Sequence, residues 1–202
     1  MIGFYDYTVI LTYVGLLSAV LGIFQAFQGN FVPALFCLGG VLFCDTMDGR
    51  VARAKKNRTR QECLFGIQID SLCDVISFGA YPAVLCYCAG LRDIPSLVLI
   101  GYYCLCCVIR LGYYNVMEME KEEGTKTVYH GLPVVCLSVL MPAAFMVGLW
   151  VPAAAFLWIL RALLLVMGTL YILDFPVNKP RLWTLALLAL IFGIPMAVIC
   201  VS

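Results

Sequence analysis

Long apolar stretches alternate with short polar segments along the whole chain. Residues 7–44 contain no charged side chain, which is too long for one membrane span, and Gly29, Asn30 and Pro33 provide a break. A span needs about 20 apolar residues. The pattern therefore predicts a first span at about residues 8–28 and a second that begins near Phe31.

The same reading places the remaining spans. A third is expected from about Cys63 to Gly90 and a fourth from about Ile94 to Met117. Residues 131–173 are expected to hold two more, with a break near Trp150–Pro152, and residues 182–202 form a last apolar stretch. We predict an all-α polytopic membrane protein, a single domain over 1–202. Its six-span core covers 8–176, and one additional C-terminal span covers 181–202.

Composition agrees with this class. Of 202 residues, 63% are hydrophobic and 12% are charged, with a net charge of +1. Soluble domains have about 45–50% apolar and about 25% charged residues. The values exclude a soluble globular protein, and the absence of a dominant basic charge argues against nucleic acid as a partner.

Basic residues indicate the orientation. The loops after predicted spans 2, 4 and 6 hold nearly all Lys and Arg outside the spans, whereas the loops after spans 1, 3 and 5 hold only Arg92. Basic loops face the cytoplasm. The N-terminus is therefore expected inside, and the charges within spans 2, 3 and 4 all fall in the cytoplasmic leaflet.

Four aspartates inside the predicted spans are the main chemical signal. Asp45 and Asp48 lie about one turn apart on span 2, and Gly66, Asp70 and Asp74 share one stripe of span 3. Each charge near a span centre costs roughly 2.5–3.5 kcal/mol on insertion. Packing does not account for that cost, so the four carboxylates are expected to face a common wet site.

Carboxylates crowded in one pocket repel each other unless some are protonated or cations neutralise them. Oxygen ligands without His or Cys favour Mg²⁺ or Mn²⁺. Two such ions suit displacement at phosphorus. We therefore expect a divalent cation as cofactor, with two ions as the favoured number and Asp45, Asp48, Asp70 and Asp74 as ligands. A cation transporter that uses the same cluster is the alternative from another class.

Two segments carry a family resemblance. The sequence DTMDGRVAR at residues 45–53, followed by GIQIDSLCD at 66–74, resembles the signature of the CDP-alcohol phosphatidyltransferase family. The spacer between Arg53 and Gly66 is longer than is usual in that family. Residues 70–83, 110–115 and 130–133 are similar to its serine-using branch.

The resemblance implies an activity and roles for residues. The expected reaction transfers a phosphatidyl group from CDP-diacylglycerol to the hydroxyl of L-serine, which gives phosphatidylserine and CMP. Asp74 would be the catalytic general base. The CDP-lipid would contact Asp45, Asp48, Gly49, Ala52, Arg53, Gly66 and Asp70. The family also implies a homodimer, and the enzyme is expected in the plasma membrane with its active site facing the cytoplasm.

Other side chains leave alternatives open. Arg110 is expected to bind phosphate or the serine carboxylate, or to pair with an aspartate, and Asn115 is a candidate for acceptor recognition. Arg161 is expected either to pair across helices or to function directly. His130 is more simply a solvated loop residue than a catalytic one. Another acceptor, such as glycerol 3-phosphate or inositol, remains compatible with the same chemistry.

Overall fold

The computed structural model describes residues 9–54, 59–119, 129–177 and 192–199. For residues 51–54, 118, 129–130 and 176–177 the description is restricted to the backbone.

The first two helices form a tight hairpin. α1 spans Ile10–Phe27 and α2 spans Phe31–Ala54. Gly29 joins them with φ +79°, a left-handed backbone conformation that glycine adopts at little cost. The break expected between the first two spans is confirmed at this turn.

A single long rod follows, with an irregular middle. α3 covers Arg60–Asp74, a π-helical segment covers Val75–Ala80, and α4 covers Tyr81–Cys88. The rod begins at a capping box, in which the Thr59 hydroxyl accepts from the Glu62 backbone N–H while the Glu62 carboxylate accepts from the Thr59 N–H. We call residues Val75–Ala80 the π segment.

Three further helices complete the bundle. α5 covers Ile94–Met119, α6 covers Val135–Gly148 and α7 covers Ala153–Ile172. Two short strands, β1 at Tyr129–His130 and β2 at Pro176–Val177, pair antiparallel. Residues 192–199 are also helical.

Five helical stretches within the described residues are long and apolar enough to cross a membrane. They are Ile10–Phe27, Phe31–Arg50, Arg60–Cys88, Ile94–Met117 and Ala153–Ile172. The helical membrane class is thus supported. The predicted fifth span is the 14-residue helix Val135–Gly148, shorter than the others. Most of the predicted C-terminal span lies outside the described residues.

Large side chains are distributed as expected for a protein in lipid. Phe78, Tyr81 and Tyr103 are fully buried between helices, whereas Phe43 and Trp158 lie on the outside. An apolar exterior suits a hydrocarbon environment, since lipid imposes no cost on exposed apolar surface.

At the centre of the bundle, α1 packs closely against α2 and α4. A Cβ on Gly22 would overlap the Tyr81 hydroxyl, which donates to the carbonyl oxygen of Ala34. Ser18 of α1 donates to the Cys37 carbonyl oxygen at 2.9 Å. These contacts hold α1 against both α2 and α4.

Candidate active site

The four aspartates converge between α2 and α3. Asp45 interacts electrostatically with Asp48 and Asp70, and Asp74 interacts with the other three. The carboxyls of Asp48 and Asp70 are close enough to share a hydrogen bond. Each of the four side chains is half-buried. The structure therefore brings together the four carboxylates that the sequence placed on two spans.

A cleft lies against three of these carboxylates. It is partly open and is lined by residues of α1, α2, α3 and the π segment, among them Thr12, Gly15, Cys44, Asp45, Asp48, Cys73, Asp74 and Ser77. Asp74 is the last residue of α3, so the π segment starts directly behind it. Such segments often occur at functional sites.

One lining residue was missed by the sequence reasoning. Thr12 of α1 donates a hydrogen bond from Oγ1 to Oδ2 of Asp48 at 3.2 Å. It lies in a largely apolar helix without charged side chains, where a single threonine carries no recognisable signal. Only the packing of α1 on α2 reveals it.

The small residues of the motif flank the carboxylates. Gly49 follows Asp48 in α2, and Gly66 lies one turn before Asp70 in α3. Both are half-buried. The backbone of residues 52 and 53 continues α2, but the side chains of Ala52 and Arg53 lie outside the described part of the chain.

The donor set fits a hard divalent cation. Four carboxylates supply oxygen ligands, and the only described thiols on the cleft are those of Cys44 and Cys73, which are softer donors. Among the described residues, no three His, Cys, Asp or Glu side chains are already arranged around one ion position. Metal binding therefore stays a prediction.

The two candidate acceptor residues lie on α5. Arg110 is buried, with its guanidinium 4.3 Å from the centre of the Tyr114 ring and one nitrogen 3.4 Å from the Gly131 carbonyl oxygen. Asn115 accepts a 2.6 Å hydrogen bond from the hydroxyl of Ser71. Ser71 follows Asp70 in α3, so this hydrogen bond joins α5 to α3 one residue along the chain from the carboxylate cluster.

Arg161 finds its partner across helices. Its guanidinium contacts Asp93 at 2.8 Å and Ser96 at 2.8 Å. This geometry supports the pairing alternative. The side chain of His130 lies outside the described residues. All cysteines of the described part are free thiols.

The fold and site together define a helical membrane protein with a carboxylate cluster between α2 and α3. The sequence profile of the CDP-alcohol phosphatidyltransferase family matches residues 8–167. The chain belongs to this family.

Relatives point to one branch of the family. A CDP-diacylglycerol–serine O-phosphatidyltransferase of Saccharomyces cerevisiae is 34% identical over 102 residues, which cover 48% of this chain and 35% of that protein. Archaetidylserine synthase of Methanothermobacter thermautotrophicus is 34% identical over 157 residues, or 76% of this chain and 64% of the relative. A CDP-diacylglycerol–serine O-phosphatidyltransferase of Helicobacter pylori is 29% identical over 130 residues, covering 60% and 49% respectively. The chain thus matches about a third to two thirds of the length of these relatives.

Proposed function

We propose that this protein transfers a phosphatidyl group from CDP-diacylglycerol to the hydroxyl of L-serine, releasing CMP. The observation that carries the proposal is the convergence of four carboxylates, three of which line one cleft, in a chain of this family. Serine is favoured as acceptor because two of the relatives described above are named as serine O-phosphatidyltransferases and the third as an archaetidylserine synthase.

Each carboxylate has a role in the proposal. Asp45, Asp48, Asp70 and Asp74 would hold two divalent cations, Mg²⁺ or Mn²⁺. When bound, the cations would polarise the phosphoryl group and stabilise the charge of departing CMP.

Asp74 is proposed as the general base. It would take the proton of the serine hydroxyl while that oxygen forms a bond to the lipid phosphorus. The bond between this phosphorus and the CMP oxygen breaks in the same displacement, and the electron pair leaves with CMP. The position of Asp74 on the cleft, within electrostatic range of the other three carboxylates, supports this role.

Substrate contacts follow from the small and basic residues. Gly49, Ala52 and Gly66 would let the nucleotide lie against the helices, and Arg53 would contact a phosphate. Arg110 and Asn115 would receive the serine carboxylate and other polar groups of the acceptor. The proximity of Asn115 to Ser71, next to Asp70, supports the placement of the acceptor here.

The setting is proposed from charge distribution and family. The protein would reside in the plasma membrane among its lipids, with six spans in the core, the basic loops and the active site on the cytoplasmic side, and a homodimeric assembly. Light scattering of the protein in detergent, with the detergent mass subtracted, tests the dimer. Protease accessibility of a tag inserted at residues 55–58 in sealed vesicles tests the orientation.

The deciding experiment is CMP release by the purified chain in nanodiscs with CDP-diacylglycerol and Mn²⁺ or Mg²⁺. Serine, glycerol 3-phosphate and inositol are compared as acceptors. Release that requires both serine and metal is expected, and Asp74→Asn should abolish it. Asp93→Asn removes a carboxylate remote from the cluster in sequence and contacts, and should retain activity. Release with another alcohol alone would overturn the serine assignment, whereas metal flux across liposomes that contain the protein, without nucleotide turnover, would favour a transporter.

A further inference from the structure

α1 places one hydroxyl against the carboxylate cluster. Thr12 is 8% exposed, lines the cleft and donates from Oγ1 to Oδ2 of Asp48 at 3.2 Å. A threonine hydroxyl in a helix can donate to its own backbone carbonyl one turn earlier. Here it is directed to the neighbouring helix.

The contact occurs where α1 is held close to α2. One turn beyond Thr12, a Cβ on Gly15 would lie 3.2 Å from the Cβ of Cys44. Further along, Ser18 donates to the Cys37 carbonyl oxygen. The backbone spacing at Thr12 is thus set by neighbouring contacts, and its hydroxyl is available to act on the Asp48 side chain.

A neutral donor suits the surroundings of Asp48. It interacts with Asp45, Asp70 and Asp74, all of the same charge when ionised. Repulsion among these groups favours rotation of a carboxylate away from the cluster. A hydroxyl restrains one oxygen without adding positive charge that would compete with a cation.

We propose that Thr12 is a positioning residue, which holds the Asp48 carboxylate through Oδ2 so that the cluster binds its divalent cation tightly. The inference rests on the proposed function, because it takes Asp48 as a cation ligand. Partners that orient metal ligands typically change metal affinity or activity about 10–100-fold when they are removed.

The test uses Mn²⁺ binding to the detergent-solubilised protein, measured by electron paramagnetic resonance without substrate. Thr12→Val keeps the side-chain shape and removes the donor, so the dissociation constant for Mn²⁺ should rise about tenfold. Thr12→Ser keeps the donor and should remain near the wild-type value. Thr169→Val makes the same substitution in α7, where the hydroxyl donates to the Leu165 carbonyl oxygen of its own helix, and should leave binding unchanged.

Turnover adds a readout that a folding defect would not reproduce. Excess Mn²⁺ should restore CMP release by Thr12→Val, with the KM for CDP-diacylglycerol at saturating metal close to wild type. Thr12→Ala provides a second donor-free variant if Thr12→Val fails to accumulate. It should show the same weakened binding.

The outcomes separate the two proposals. Wild-type Mn²⁺ affinity in the donor-free variants, or equal loss in Thr12→Ser, would overturn the role of Thr12. Absence of Mn²⁺ binding in the wild-type protein would overturn it as well. Mn²⁺ binding with the expected variant pattern but no CMP release with any alcohol would refute the proposed function and leave the role of Thr12 intact.

Discussion

Tyr103 of α5 donates its hydroxyl to the carbonyl oxygen of Phe78, inside the π segment that follows Asp74. Both side chains are fully buried. A π-helical turn departs from regular α-helical pairing, and a buried carbonyl without a partner is costly. The hydroxyl therefore stabilises the irregular backbone next to the candidate base.

Tyr103→Phe should destabilise the protein by about 1–3 kcal/mol, the cost of leaving a buried acceptor unsatisfied. It should also lower the rate of CMP release, because Asp74 adjoins the altered backbone. Thermal unfolding in detergent and turnover at saturating substrate measure the two effects. Tyr102→Phe is the matched control, since the Tyr102 hydroxyl contacts the hydroxyl of Thr169. Removal of the Tyr102 hydroxyl leaves no backbone carbonyl without its hydrogen-bond donor. Equal destabilisation by both variants would contradict the argument.

Gly22→Ala should prevent α1 from packing on α4. The added methyl group would overlap the Tyr81 hydroxyl, and overpacking in a tight core costs about 1–3 kcal/mol. Gly101→Ala is the control, because no atom lies within 4 Å of the position that its Cβ would take. Size-exclusion profiles and thermal unfolding compare the two. The prediction fails if Gly22→Ala is as stable as Gly101→Ala.

Asp93 gives the fold a specific sensitivity to acid. Hydrogen bonds from Ser96 and then Arg161 lower the pKa of Asp93 from 3.8 to about 2. Because the folded-state pKa is depressed, the stabilisation is present above pH 3.8 and is lost as the pH falls towards 2. Asp93→Asn should therefore lose less thermal stability than wild type between pH 5 and pH 2. Parallel pH profiles for the two proteins would refute this assignment.

Ser71 and Asn115 should tune the affinity for the acceptor alcohol. Loss of one hydrogen bond is worth about 0.5–1.5 kcal/mol, so Ser71→Ala and Asn115→Ala should raise the KM for serine up to about tenfold. The KM for CDP-diacylglycerol should change little. Gln68→Ala is the control, because Gln68 also contacts α5, through the sulfur of Met119 at 3.6 Å on an exposed face. A rise in the lipid KM instead would place Asn115 on the nucleotide side.

Local patterns in the sequence were sufficient for several features. The turn at Gly29 follows from residues that end helices. The placement of Asp70 and Asp74 on the same face of one helix follows from their i, i+4 spacing. The helical type of the fold follows from the long apolar runs. Each of these signals lies within one continuous stretch of the chain.

Features that depend on distant contacts could not be predicted in this way. The partner of Arg161 is Asp93, 68 positions away in sequence. The role of Thr12 depends on its contact with Asp48 of α2, 36 positions away. The π segment leaves the apolar pattern almost unchanged. The length of α6 also differed from expectation, since 14 helical residues occur where a full span was predicted.

The π segment separates α3 from α4 and rotates one helix relative to the other about their common axis. A turn with i→i+5 pairing holds about one residue more than an α-turn, which rotates the following helix by ~100° relative to an uninterrupted one. Asp74 faces the cleft on one side of the segment, and Tyr81 meets Gly22 on the other. Deleting any single residue from Val75–Ala80 would let the backbone form a regular α-helix. The deletion would then rotate either Asp74 away from the cleft or Tyr81 away from Gly22. The number of residues in this stretch is therefore constrained independently of their identity.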